Sequence, residues 1–266
     1  MCTIGALRLN ANEYFLFKNK DFVRDSFEDQ LITSQEIVGI KGVSTWANVD
    51  SQPDHFSGIS IGANQYGLFC CDANVREEPK SGLNYDLLTE VALREGKDVD
   101  SAISAVDEAV KRHSYWCANL ILISNESVAA IEVHGDEIKV ERSSDRLTRT
   151  NHHLLFSPSD LDADRVTSQS RLSSSQRRLA SAGSIEDILS LQSSHDHEDT
   201  GICNHSLYQT VYSYVLHFNH GSMSMAVKKG RPCDAGTYNY LDLPLAERWT
   251  PAAENMFCTK YPQLSV

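Results

Sequence analysis

The chain has 266 residues, 41% of them hydrophobic and 23% charged, with a formal net charge of −12. This balance is that of a globular protein large enough to bury a core without disulfides, and it excludes global disorder, collagen and coiled coil. The negative charge argues against nucleic acid and anionic membranes as partners, because both attract cations, and it weakly favours a cationic small molecule.

Residues 2–9 (CTIGALRL) and 14–18 (YFLFK) predict a hairpin that begins at the second residue and turns on Asn10-Ala11-Asn12-Glu13. Further strands are expected at 36–40, 57–62 and 67–72, punctuated by Gly58, Gly62 and Gly67. Two helices follow. One spans 84–95 and stops at Gly96. The other spans 98–112 and carries one apolar stripe of Val99, Ala102, Ile103, Val106, Ala109 and Val110. Asp98 and Asp100 at its start, and Lys111 and Arg112 at its end, have the signs that the helix dipole favours. Strands return at 118–124, 127–134 and 137–142.

Residues 157–184 are rich in Ser, Asp and Arg, and predict an exposed helix or a partly mobile lid. A short helix over 185–192 opens on Ser184-x-x-Asp187, a capping box with Asp in place of Glu. After a polar stretch over 193–206, strands at 208–218 and 222–228 predict a second hairpin, and roughly the last 25 residues read as irregular. Helices come in consecutive pairs between groups of strands. That order predicts an α+β fold of antiparallel sheets with helical layers outside. No repeat or linker divides the chain, so residues 1–266 read as one domain.

No apolar run approaches the ~18 residues of a membrane span. The N-terminus lacks the basic and apolar regions of a signal peptide. Seven cysteines with no CxxC suggest reduced thiols and a cytoplasmic protein. Cys70 and Cys71 are adjacent on a strand and should face opposite ways as core thiols. Trp46, Trp116 and Trp249 are scattered and read as packing residues. The run His195-Asp196-His197-Glu198-Asp199 has the donor chemistry for zinc or nickel. Without further ligands at fixed spacing it reads as a solvated loop, so neither metal nor cofactor is expected. There is no G-x-S-x-G elbow and no phosphate-cradling glycine loop.

The most informative residue is Cys2. Removal of Met1 by an aminopeptidase leaves Cys2 with both a thiol and a free α-amine. Reference pKa values of about 8.5 and about 7.7–8.0 let the amine take the thiol proton near neutral pH. Cys2 can then act as a thiolate nucleophile with its own amine as base, and no histidine is needed.

The context gives this chemistry a family. Residues 2–22 resemble the opening of the cysteine N-terminal-nucleophile (Ntn) hydrolases, in which the nucleophile starts the first strand and the return strand ends in Asn-x-Asp-aromatic, here Asn19-Lys20-Asp21-Phe22. Two relatives share this opening: the acyl-coenzyme A:6-aminopenicillanic acid acyltransferase family (peptidase family C45) and, more distantly, the choloylglycine hydrolase/penicillin V acylase family. The resemblance implies a four-layer αββα sandwich. It also implies that Asp21 accepts a hydrogen bond from the Cys2 amine. Lys18 stands where the second family usually has Arg; its alternative reading is a hairpin lysine facing solvent.

Asn64-Gln65-Tyr66-Gly67-Leu68 resembles the N-x-x-G-L turn of these families, and Asn74 beyond it is the candidate oxyanion-hole amide. Leu147-Thr148-Arg149-Thr150-Asn151-His152-His153 resembles the acyltransferase Thr-Asn-His motif. Asn151 is then a second contact to the acyl oxygen or part of the site network, and His152 could equally be structural. Ser168-x-x-Arg171 matches an Arg placed near the nucleophile, with Arg177 and Arg178 as alternatives. Gly201-Ile202-Cys203-Asn204-His205 resembles an Ile-Cys-x-His element in which Cys203 reads as packing.

The implied chemistry is cleavage of the amide of a small N-acyl compound through a Cys2 acyl-thioester intermediate. The first alternative is acyl transfer from a coenzyme A or carrier-protein thioester to an amine. The second is a non-catalytic binding protein on the same fold. Class II glutamine amidotransferases also start Met-Cys, but their Arg and Asn-Gly signatures are not found. Because members of the superfamily are often oligomeric, a homo-oligomer remains open.

Overall fold

The structure is a computed structural model that describes residues 1–22, 27–34, 36–44, 58–77, 82–157, 163–196, 201–243, 250–252, 255 and 259. Trp46, Trp249, His197, Glu198 and Asp199 lie outside the described residues. In chain order the strands begin with β1 (Cys2–Asn10), β2 (Glu13–Phe22), β3 (Phe27–Thr33), β4 (Ile37–Ser44), β5 (Ile61–Asn64) and β6 (Phe69–Asn74). Helices α1 (Asp86–Glu95) and α2 (Val99–Arg112) precede β7 (Tyr115–Ile123), β8 (Val128–Gly135), β9 (Glu137–Ser143) and β10 (Arg146–Arg149). Helices α3 (Ala163–Ala180) and α4 (Ile185–Gln192) precede β11 (Gln209–Asn219), β12 (Ser222–Lys229) and β13 (Asn239–Leu243).

The strands form two antiparallel sheets. One has six strands in the order β10-β1-β2-β11-β12-β13, and the other has seven in the order β3 through β9. Strand alternation sorts side chains into layers. Along β2, Tyr14 and Leu16 enter the core between the sheets, whereas Phe15 and Phe17 join Leu179, Ile188 and Leu191 beneath α3 and α4. On the other sheet, Ile121 and Ile123 face the central core while Leu120 and Leu122 pack with Val99, Ala102, Val106 and Val110 of α2. Helix, sheet, sheet and helix are therefore the four layers of an αββα sandwich. Cys70 and Cys71 face opposite sides of β6, each in a different core.

The N-cap of α2 is Asp98, whose carboxylate accepts from the Ser101 N–H while the Ser101 hydroxyl closes a capping box. Asn64 explains the N-x-x-G-L turn. Its Oδ1 accepts from the N–H groups of Tyr66 and Leu68 at 3.0 and 3.1 Å. Its Nδ2 donates to the carbonyls of Leu93 and Gly96 at 2.9 and 2.7 Å, tying the β5–β6 turn to the end of α1.

Of the exposed helix or partly mobile lid expected over 157–184, the helix forms over 163–180 but is not exposed throughout: α3 buries Ser168, Arg171, Leu172, Ser174, Ser175 and Leu179. The helix docks largely through hydroxyls, with Ser175 Oγ 2.9 Å from Thr148 Oγ1. Three strands escaped the pattern. β3 reads as polar, yet its Asp29 is buried against Lys20 at 2.7 Å. β10 has only four residues. β13 falls between the expected second hairpin and the irregular C-terminal stretch, and pins Leu241 and Leu243 into the central core.

Candidate active site

β1 and β2 set the site. Cys2 and Lys20 are register partners, and alternation puts Cys2, Lys18 and Lys20 on the face between the sheets. Cys2 is 9% exposed. It lines a cavity of about 330 Å³ with Lys18, Asp21, Asp72, Asn74 and Tyr85. That volume is at the lower end of ordinary small-molecule sites.

The start of β1 is fastened by side chains from distant segments. The main-chain N–H of Cys2 donates to Asn151 Oδ1 at 2.8 Å. Arg171 Nη1 donates to the Cys2 carbonyl at 2.6 Å and to Thr3 Oγ1 at 3.0 Å. Its Nη2 donates to Asn151 Oδ1 at 2.7 Å. Asn151 Nδ2 donates to the Asn74 carbonyl at 2.7 Å. Asn151 and Arg171 are thus parts of one network around Cys2. Arg177 and Arg178 instead approach Asp196, at 3.2 and 3.7 Å, which leaves Arg171 as the arginine at Cys2.

The Asn151 segment is itself held from below. Asn119 Nδ2 donates to the carbonyls of Thr150 and His152, both at 2.9 Å. The buried Glu132 carboxylate accepts from the N–H groups of Leu154 and Leu155 and pairs with Arg149. His152 is structural: its Nδ1 lies 2.8 Å from Ser168 Oγ beneath the segment.

Met1 is in place ahead of Cys2. Its ammonium donates to the main-chain carbonyl of Asp21 at 2.9 Å, and the Asp21 N–H donates to the Met1 carbonyl at 2.7 Å. The Asp21 carboxylate accepts from Thr210 Oγ1 at 2.8 Å and from Asn204 Nδ2 at 3.5 Å. With Met1 present, the amine therefore meets the Asp21 backbone, and the carboxylate acts on it through space. Burial lowers the pKa of this amine, opposed by the charges of Cys2 and Asp21. Burial likewise raises that of Asp21, opposed by the amine and Arg171.

Lys18 is a buried cation and does not face solvent. Its Nζ donates to Asp72 Oδ1 at 2.9 Å and to the Ser60 carbonyl at 2.8 Å. Burial alone would lower its pKa, but Asp72, Cys2 and Asp86 outweigh that, and the net shift is upward. Lys20 pairs with Asp29, which also accepts from the Tyr214 hydroxyl. Asp86, in the first turn of α1, has its pKa pushed well up by burial and by Asp72.

Asn74 ends β6 in the cavity wall, which Tyr85 also lines. The cavity wall sets Lys18, Lys20 and Arg76 against Asp21 and Asp72, with Asp86 shifted toward its protonated form, so the acidic surface of the chain does not carry into the site. Asp72, Tyr85, Asp86 and Asn204 were not among the residues singled out from the sequence. Asn204 lay inside the Ile-Cys-x-His element and was the one with a local signal.

The fold brings His195 and the buried Cys203 together with His205 and Cys233, one ligand atom from each within 4.8 Å of the others.

Comparison with known proteins agrees with this fold. An orthologue of N-acylethanolamine-hydrolyzing acid amidase from Caenorhabditis elegans superposes with a TM-score of 0.51 at 14% identity, covering 81% of this chain and 92% of its own. A mutant of conjugated bile acid hydrolase from Clostridium perfringens superposes with a TM-score of 0.50 at 13% identity, covering 91% of this chain and 92% of its own. At these identities the likeness is one of fold, and that fold is the Ntn-hydrolase sandwich. A search of the curated proteins finds no match. The family model described as acyl-coenzyme A:6-aminopenicillanic acid acyl-transferase matches residues 8–228, a span holding the site residues above except Met1, Cys2, Thr3 and Cys233. The chain belongs to the acyl-coenzyme A:6-aminopenicillanic acid acyl-transferase family.

Proposed function

We propose that the protein is an N-terminal-nucleophile cysteine amidohydrolase that cleaves the amide bond of a small N-acyl compound, with residues 1–266 as one catalytic domain. The observation that carries this reading is the placement of Cys2: it opens β1 in the cavity wall, its own nitrogen 2.8 Å from Asn151 Oδ1.

Removal of Met1 turns that nitrogen into an α-amine. Burial lowers the pKa of the Met1 amine one residue away, and the same desolvation acts on a Cys2 amine in the direction of the free base. The amine takes the thiol proton, and the Cys2 thiolate attacks the acyl carbon. Negative charge develops on the acyl oxygen, for which the Asn74 amide is the candidate donor; losing such a donor costs about 2.7–4 kcal/mol. The Cys2 ammonium returns the proton to the leaving amine as the C–N bond breaks. Water then attacks the thioester, the amine takes its proton, and acid and thiol are released. Asp21 supplies negative charge beside the amine, Asn151 and Arg171 hold the β1 start, and the Lys18–Asp72 pair shapes the wall. With Met1 retained, the Cys2 nitrogen is an amide and the protein is dormant.

The family description favours a second reading, in which an amine takes the acyl group from a thioester donor in place of water. Both reactions share one acyl-enzyme. The test is intact mass spectrometry with a substoichiometric thiol alkylator and a panel of N-acyl amines. The expected outcome is loss of Met1, labelling of Cys2 first, and an acyl adduct on Cys2. Cys2→Ala should lower turnover by on the order of 10⁴-fold or more. Partition of the acyl group between water and added amine separates hydrolase from transferase. A Cys2 no more reactive than Cys117, with no acyl adduct, would leave a binding protein on this fold.

A further inference from the structure

We propose that His195, Cys203, His205 and Cys233 form a tetrahedral binding site for zinc(II). His205 Nε2 lies 2.8 Å from His195 Nε2, 3.5 Å from Cys203 Sγ and 3.1 Å from Cys233 Sγ, and the two sulfurs are 3.3 Å apart. Zinc bonds of about 2.0–2.1 Å to nitrogen and about 2.3 Å to sulfur put tetrahedral nitrogens about 3.3 Å apart and sulfurs about 3.8 Å apart. Of these four contacts, the largest outward adjustment this asks is about half an ångström, and His195 Nε2 lies within 4.8 Å of both sulfurs. The sulfur separation is far beyond the ~2.05 Å of a disulfide, and both cysteines are thiols here. Two thiolates and two imidazoles are a donor set that selects zinc over hard oxygen-seeking cations.

The backbone brings these residues together by means of its own. The Cys203 N–H donates to the Ser194 carbonyl at 3.0 Å, one residue before His195. A Cβ on Gly201 would meet the His195 Cα at 2.7 Å, so this close approach needs glycine. Lys228 Nζ donates to the carbonyls of Pro232 and Gly236 at 3.2 and 3.0 Å, and also to that of Asp234, curling the β12–β13 connection around Cys233. Arg231 approaches His205 Nδ1 at 3.0 Å and Asp234 Oδ2 at 2.9 Å. When Nε2 binds a metal and Nδ1 carries the proton, Asp234 retains the guanidinium.

The ion would staple the α4–β11 connection to the β12–β13 connection. It would also fix Asn204, which stands between two ligands and reaches Asp21, while its carbonyl accepts the Thr210 N–H at 2.9 Å. The site is thus structural, with a positioning consequence for Asp21. This proposal does not depend on the acyl chemistry of Cys2.

The test is elemental analysis of the full chain after incubation with zinc chloride and desalting, together with cobalt(II) substitution. The expected result is one zinc per chain. Cobalt should give the intense visible bands of a four-coordinate site and thiolate-to-cobalt charge transfer. Cys233→Ser and His195→Ala, both at exposed positions, should bind zinc on the order of 100-fold more weakly with an unchanged circular dichroism spectrum. Less than about 0.1 zinc per chain in the wild-type protein would overturn the proposal. So would a Cys203–Cys233 disulfide mapped in protein kept under reducing conditions, or a pale six-coordinate cobalt spectrum. The cobalt spectrum decides the matter on wild-type protein even if a variant fails to fold.

Discussion

Arg171 is 1% exposed and spends its guanidinium on the Cys2 carbonyl, Thr3 Oγ1 and Asn151 Oδ1. A planar fork can meet such divergent acceptors in one rotamer, whereas an ammonium cannot. The neighbouring carboxylates obey a different balance. Asp86 is buried near Asp72, and its raised native pKa means that the folded protein holds a proton the unfolded chain releases. The native state therefore binds more protons above the unfolded value of about 3.9, and stability falls as pH rises from there to the native pKa. Asp86→Asn removes that penalty. Thermal melts should show the variant more stable than wild type at pH 8 and indistinguishable from it near pH 4; the same difference at both would contradict the assignment.

At the scale of elements, the start of α1 is fixed by the chain that enters β5. Gly58 has φ +95, and a Cβ there would meet the main-chain carbon of Asp86 at 2.3 Å. Both the left-handed conformation and the clash with backbone exclude a side chain. Gly58→Ala should destabilise the protein by about 2 kcal/mol or more, read as a lower urea midpoint. It should also weaken turnover, because Asp86 and Tyr85 move with the helix start. Unchanged stability and turnover would show that the helix start yields freely. Much at this scale was legible in the residues. The α2 stripe, the Cys2 hairpin and the β11–β12 hairpin all lie where local periodicity put them. β3 did not, because its Asp29 is buried only by grace of Lys20 and Tyr214 from other strands. The helix of α3 was legible but its burial was not: Ser175 and Ser168 hydroxyls that read as solvated bond to Thr148 and Thr150 across the layer.

The whole molecule rests on three apolar layers, of which the one between the sheets also frames the cavity. Ile121 is fully buried in that layer. Ile121→Ala should cost about 2–5 kcal/mol, measurable as a fall in unfolding free energy. Lys111→Ala, which removes an exposed pair with Asp107, should cost less than about 0.5 kcal/mol. Comparable losses at the two positions would mean that the central layer is not the principal source of stability. Among the described residues no helix is long and apolar enough to cross a membrane.

The sequence by itself determined Cys2 as the residue of interest, the order of the short motifs behind it and the alternation that sorts both sheets. These depend on neighbours within a few residues. Only the tertiary structure chose Arg171 over Arg177 and Arg178, paired Lys18 with Asp72, and gathered His195, Cys203, His205 and Cys233 around one point. Those decisions depend on strand register and on which layers meet, and Lys18 and Asp72 stand 54 residues apart on strands of different sheets. No local pattern encodes such a distance; it is set when burial of the apolar faces stacks the two sheets and leaves their polar residues nowhere to go but to one another.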